Sequence, residues 1–176
     1  MGTGTSTGVP LIGSDHPVCK SSNPKDNRLR SSILLEWDEL NLIVDTGPDF
    51  RQQMLNCNCK KIDVVLYTHE HYDHISGIDD LRAFCFRQGK IPVYAHKRVL
   101  KILNSKHKYI FDKKNRYQGA PELVINEIVE NKTLKLFNHS SSLNSLNCYK
   151  VVLHENANGL HFCIDHLCPV NTTIMM

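Results

Sequence analysis

The sequence has no long apolar run, and this excludes one broad class at once. Its longest uninterrupted apolar stretches, such as Val64-Val65-Leu66-Tyr67, span four or five residues, where a helix crossing a bilayer needs about 20. Met1-Gly2-Thr3-Gly4-Thr5-Ser6 carries neither a basic start nor an apolar core, so no secretory leader is expected. Strong charge of one sign is also lacking: a net charge of +3 is too small to define a nucleic-acid binder by bulk electrostatics. The seven cysteines are odd in number, and only Cys57 and Cys59 lie close together in the first half of the chain. That argues for free thiols in a reducing compartment over a disulfide framework. No internal repeat is present, and only the Ser/Asn tract 139–147 is of low complexity; it predicts a surface loop. With 176 residues, 41% of them apolar and 22% charged, the chain is sized for one cored domain. The expectation is a soluble, cytoplasmic protein forming a single domain over 1–176.

Short β-rich runs alternate with helical ones in the first two thirds. Ile33–Trp37 and Leu42–Val44 predict two strands of a hairpin joined through 38–41, and Phe50–Leu55 predicts a short helix after the turn Asp45–Asp49. Ile62–Tyr67 is a continuous β-branched run, as in a strand buried on both faces. Ile75–Arg82 predicts one helix, Ile91–Ala95 a strand and Lys97–Leu103 a helix. Beyond Pro121 come four strands, near 123–129, 134–137, 149–153 and 162–167. The fold class is therefore layered α/β.

Histidine is what this chain has in unusual concentration. Immediately after the buried strand comes Thr68-His69-Glu70-His71-Tyr72-Asp73-His74, with the pattern H-x-H-x-D-H. A chain of this composition would show that pattern by chance roughly 0.002 times. Imidazole and carboxylate donors suit Zn²⁺ or Mn²⁺, and a cluster this dense can serve two adjacent ions. Two ions about 3.5–4 Å apart lower the pKa of a water and aim it at an electrophile. A loop leaving a buried strand end is where open α/β sheets place such sites.

This motif resembles the metal-binding signature of the metallo-β-lactamase superfamily. Gly2–Pro10, Arg28–Ser32, Val44–Met54 and Gly77–Arg82 are similar to its phosphoribosyl cyclic-phosphate phosphodiesterase-like branch, over residues 2 to about 137. The resemblance implies an αββα sandwich, incomplete here in its first strand and in much of its second half, with 138–176 a divergent tail. It makes His69 and His71 ligands of one metal ion, with Asp73 and His74 ligands of a second. Asp73 would also be the catalytic residue, positioning the attacking hydroxide. Asp45 resembles the aspartate that holds the metal loop by hydrogen bonds. His154, ending Val151-Val152-Leu153-His154, would be the third histidine of the first ion. Thr172 stands where a carboxylate bridging both ions is expected, so the second ion keeps only Asp73 and His74 among recognised ligands.

The activity implied is metal-dependent hydrolysis of a phosphodiester in an anionic small molecule or nucleotide, with two divalent ions (Zn²⁺ or Mn²⁺) or only one. Thioester or lactone hydrolysis, or an impaired metal binder, are the rivals. No membrane or stable nucleic-acid partner is expected, while the family's habit of pairing subunits admits a homodimer. Where relatives carry a C-x-C-x-x-C structural zinc motif, this chain reads Ser14, His16 and Cys19. Two donors cannot close a tetrahedral site, which favours a plain loop. Lys97 to Arg116 carries eight cations against Asp112 alone, a stretch that could steer an anionic substrate or be a solvated helix face.

Overall fold

The computed structural model describes residues 1–37, 40–112, 114, 116–129, 133–135, 149–156, 159–166 and 174–175, and side chains up to residue 129 apart from Trp37. Its first sheet runs β1-β2-β3-β4-β5 in space, with β1 (Ile33–Trp37) and β2 (Leu40–Val44) an antiparallel pair. β3 (Val64–Tyr67), β4 (Ile91–His96) and β5 (Leu123–Ile128) then add in parallel. Parallel neighbours need crossovers, and helices supply them: α1 (Phe50–Asn56) before β3, then α2 (Tyr72–Ile75) and α3 (Arg82–Gln88) before β4. α4 (Lys97–Lys106) and α5 (Lys108–Phe111) precede β5. All four residues of β3 are buried, as a central strand covered on both faces must be.

The core lies between this sheet and the helices. Phe50, Ile62, Val65, Ile78, Leu81, Val93, Val99 and Leu103 are essentially solvent-free in it. In α4 the apolar positions Val99, Leu100 and Leu103 recur one helical turn apart and are buried, leaving the charged face outward. A second sheet, β6 (Thr133–Lys135), β7 (Tyr149–Asn156), β8 (Gly159–His166) and β9 (Ile174–Met175), is antiparallel throughout. The Ser/Asn tract 139–147 and Thr172 lie outside the described residues.

The strands expected around 33–44, 62–67 and 91–95 form, although β2 begins at Leu40, inside the anticipated connection, and β3 only at Val64. The single helix expected over Ile75–Arg82 does not form. The chain instead makes α2, a 3-10 turn at Ile78–Leu81 and then α3. The break is at Gly77, where a Cβ would meet the Gly47 carbonyl oxygen at 2.2 Å and Phe50 Cβ at 2.9 Å. Gly47 is equally crowded, since its Cβ would lie 2.1 Å from the Asp73 carbonyl oxygen. The loop after β2 and the loop after β3 thus touch backbone to backbone. Thr46 N donates to the His74 carbonyl at 2.8 Å, and Gly77 N to the Thr46 carbonyl at 2.8 Å. Helical periodicity in 75–82 yields to this contact, which only glycine permits.

The amino-terminal segment closes over the same region. Gly2 and Gly4 bridge to Ser32 and Arg30. The Arg30 guanidinium and backbone N–H both reach the Asp49 carboxylate, at 2.9 and 2.8 Å, and Gln53 donates to the Arg30 carbonyl at 2.7 Å. This ties residues 28–32 to the start of α1.

Gly77→Ala should destabilise the fold by about 2 kcal/mol or more, because the added methyl meets backbone that cannot rotate away. Urea denaturation checks this. An unchanged midpoint would mean that the two loops separate easily.

Candidate metal centre

The register of the parallel strands decides where the site forms. Val44 pairs with Leu66, and Tyr67 with Ala95, so β2, β3 and β4 end at one edge of the sheet. The segments leaving them, starting at Asp45, Thr68 and Lys97, emerge side by side. Beneath this edge the fully buried Tyr67 hydroxyl lies 2.6 Å from Thr46 Oγ1, and burial pushes its pKa far up.

Asp45 organises the centre. It is buried and adopts a left-handed backbone, φ 61°, which an aspartate tolerates at a cost of about 1 kcal/mol. Two bonds hold that conformation: Asp45 N donates to the Leu66 carbonyl at 2.9 Å, and Ser32 Oγ donates to the Asp45 carbonyl at 2.8 Å. The carboxylate is then aimed at the β3 loop. Its Oδ1 accepts Thr68 N–H at 2.8 Å, while its Oδ2 accepts the Thr68 hydroxyl at 2.6 Å and His74 Nδ1 at 2.6 Å.

These bonds assign the histidine tautomers. The single Thr68 hydroxyl proton goes to Asp45, so Thr68 Oγ1 receives a proton from His69 Nδ1, 2.9 Å away. His74 Nδ1 likewise donates to Asp45. Both rings therefore turn Nε2 away from these partners, that of His74 toward Asp73 Oδ2 at 3.2 Å. Burial, and then the neighbouring His74, lower the pKa of His69. For His74 burial acts in the same direction, but the hydrogen bond and charge of Asp45, joined by Asp73, outweigh it and raise the pKa.

The donors present are of types that suit a divalent ion and lie together, the His69 ring centroid 3.9 Å from that of His74 and 4.6 Å from that of His71. Asp73 Oδ2 lies 3.2 Å from His74 Nε2. Two ligands sharing a tetrahedral zinc at about 2.0–2.1 Å are separated by roughly 3.3 Å. The His69 and His71 rings lie edge to face with centroids 4.6 Å apart, close to the roughly 4.5–5.2 Å expected for two imidazoles on one ion. Each pair still needs a third donor. Among the described residues no group of three or more His, Cys, Asp or Glu side chains is arranged to hold an ion. The backbone of His154 lies in β7, in register with His161 of β8, but its side chain is outside the described residues, as is Thr172.

Other candidates separate from this centre. His16 Nδ1 accepts Val18 N–H at 3.3 Å to cap a 3-10 turn, and Cys19 Sγ receives Leu11 N–H at 3.4 Å. Cys57 and Cys59 are free thiols bonded to the carbonyls of Gln53 and Lys61. Asp79 accepts the Tyr109 hydroxyl. Sequence reasoning gave Thr68 and Ser32 no role. Thr68 stood within the motif, but nothing local marks it as the relay from Asp45 to His69, 23 positions from its partner.

Residues 40–152 match the model of the β-lactamase superfamily domain, and the chain belongs to the metallo-β-lactamase superfamily. Among curated proteins it is similar to an octanoyltransferase of Porphyromonas gingivalis, 43% identical over 129 residues, which are 73% of this chain and 26% of that protein. It is also similar to a ribonuclease Z of Clostridium acetobutylicum, 29% identical over 75 residues, covering 42% of this chain and 24% of that one. Among solved structures, a diphosphatase from the PhnP family superposes with a TM-score of 0.74 at 33% identity, over 94% of this chain and 60% of that one. The fold is thus the mixed α/β metallo-β-lactamase fold. The chain spans about a quarter of these curated relatives and three fifths of the diphosphatase. No helix among the described residues is long and apolar enough to cross a membrane.

Asp45→Asn keeps the shape and tolerates the left-handed backbone, but removes the charge that both histidine tautomers depend on. Metal affinity should fall about 10–100-fold with little loss of fold, as read by competition with a chromophoric chelator and by circular dichroism. Unaltered affinity would show that Asp45 only shapes the turn.

Proposed function

We propose that the chain is a metal-dependent hydrolase acting on a phosphodiester of a phosphorylated small molecule or nucleotide. The observation that carries this is the Asp45 hub: one buried carboxylate fixes His74 directly and His69 through Thr68, with Nε2 left for metal on each ring. A rotating surface histidine would need no such support. His69 and His71 would hold one divalent ion with His154, and Asp73 and His74 would hold a second. Such ions supply a water of lowered pKa and positive charge beside the phosphoryl oxygens. Asp73 would orient the attacking water through a hydrogen bond while its other oxygen keeps its place beside His74. The likeness to a diphosphatase and to a ribonuclease Z supports phosphorus as the electrophile.

Thr172, at the position where the resemblance expects a bridging carboxylate, favours a second reading: a metal binder of low turnover. Losing one of two charge clamps costs several kcal/mol in the transition state, about a thousandfold in rate. Thioester or lactone hydrolysis would use the same arrangement.

The test couples metal stoichiometry to substrate choice. The purified chain should bind Zn²⁺ or Mn²⁺ tightly by inductively coupled plasma analysis, and His69→Ala with His71→Ala should abolish that binding. Retention of full stoichiometry by the double variant would sink the site. Slow turnover of bis(p-nitrophenyl) phosphate, lost in His71→Ala and with chelator, is the expected activity. Hydrolysis of p-nitrophenyl octanoate alone would move the electrophile from phosphorus to carbon, and bound metal without either activity would favour the second reading.

His154→Ala should weaken the first ion on the order of tenfold or more, since a third imidazole leaves it. Isothermal titration with Zn²⁺ reads this directly, and an unchanged isotherm would remove His154 from the ligand set.

A further inference from the structure

The first sheet has an open edge, far from the histidine-bearing loop in sequence. β5 is paired with β4 on one side and ends the sheet order among the described residues. Ile91 pairs with Leu123 in parallel, and Ile91 N donates to the Glu122 carbonyl at 2.9 Å. Successive residues of a strand turn their N–H and C=O groups to opposite sides. Residues 122, 124, 126 and 128 therefore face β4, while Leu123, Ile125 and Glu127 turn theirs outward. Such a row of unpaired groups is a template for another strand, and natural edges are blunted with proline, lysine or a bulge. Leu123–Ile128 contains neither proline nor lysine, its register with β4 is unbroken, and Glu127 is its only charge.

The side chains add a match of charge. Leu123 and Ile125 pack against the core on the helix-covered face of the sheet, and alternation puts Glu127 on that face too. Glu127 is exposed and has no ion-pair partner among the described residues. At the other end of β5 a cavity of about 490 Å³ opens, lined by residues that include Lys90, Ile110, Phe111, Arg116, Leu123 and Ile125. Arg116 is held there by Glu122 Oε1 at 3.0 Å and by the Ala120 carbonyl at 2.9 Å. Lys90 is exposed and has no ion-pair partner among the described residues. One end of the edge thus carries a free carboxylate, and the other a free ammonium beside an apolar floor.

A two-fold axis at Ile125 brings these ends together. With Ile125 opposite Ile125 in an antiparallel copy, Leu123 lies opposite the partner's Glu127. Outward-facing residues then meet only outward-facing residues, which gives about six main-chain hydrogen bonds across the dimer. A shift of one residue would set outward groups against inward ones and lose them. In the matched register each Glu127 projects beside Leu123 of the other copy, toward Lys90 and Arg116, and symmetry makes the contact twice.

We propose that β5 is a dimerisation edge: two copies of this chain join β5 to β5, antiparallel about Ile125, into one continuous sheet, with Glu127 of each copy in the Lys90–Arg116 cavity of the other. The backbone edge alone accepts any strand. The acid that the cavity calls for is supplied by the chain itself, which makes the second copy the occupant.

Sedimentation velocity on the full chain, from low to high micromolar concentration, should show a monomer–dimer equilibrium. E127K should weaken the dimer about tenfold or more, since it turns two attractions into two repulsions. K90E should do the same, and K90E/E127K, which exchanges the charges, should restore the wild-type equilibrium. E127Q, which keeps the shape and removes the charge, should fall between wild type and E127K. Amide exchange followed by nuclear magnetic resonance reads the backbone pairing in the unmodified chain. The N–H groups of Leu123, Ile125 and Glu127 should exchange slowly in the dimer and faster on dilution, while those of Val124 and Asn126, bonded to β4, stay slow throughout. A wild-type chain that remains monomeric overturns the proposal, as does a dimer that leaves the outward amides unprotected. A dimer indifferent to E127K and K90E, or one that the charge exchange fails to restore, overturns it too, because the two copies then meet elsewhere or in another register.

Discussion

One buried carboxylate holds the histidine-bearing loop of this protein in place. Asp45 accepts three hydrogen bonds from the loop that carries the histidines, two from Thr68 and one from His74. In water such bonds would exchange freely with solvent. In a nearly closed position an unmade bond to a charged group is expensive, so the loop has little freedom to turn its rings elsewhere. The left-handed backbone at Asp45 is part of the same device. It turns the chain sharply at the end of β2, and the bonds from Ser32 and to Leu66 hold that turn in place.

The two glycines beneath it have a complementary role. Hydrogen bonds between the β2 and β3 loops require the backbones at Gly47 and Gly77 to approach to a distance that no Cβ allows. The carboxylate and the imidazoles are thereby set at bonding distance by main-chain contact, not by long side chains. A site built on backbone contact is stiff, and stiffness is what a metal centre needs when its donors must fall within a few tenths of an ångström.

The loop after β3 carries His69, His71, Asp73 and His74, two donors for each ion position that the resemblance implies. Coordination chemistry asks for at least one further ligand at each. Beyond the first sheet, β7 carries His154 in backbone register with His161 of β8. The division of labour follows from geometry: a single loop can place adjacent donors on two ions, but it cannot surround either. The start of α4 belongs to the same edge, because the parallel register brings the end of β4 beside the end of β3.

The histidine-rich motif was legible in the sequence because its spacing is local. Six consecutive residues after a β-branched run carry four candidate ligands, and such a run in a parallel sheet must end in a loop. Strands β1, β3 and β4 and helices α1 and α4 were legible for the same reason, each being written in its own periodicity. The helix expected over 75–82 was not realised, since its pattern is helical but its Gly77 answers to Gly47, 30 positions away. Thr68 could be seen but not interpreted, because a threonine at a strand end is ordinary until Asp45 is placed against it. Local sequence thus determined which atoms can bind metal. Only the tertiary structure decided how the rings of His69 and His74 are turned, because that choice is made by hydrogen bonds between segments remote in the chain and close in space.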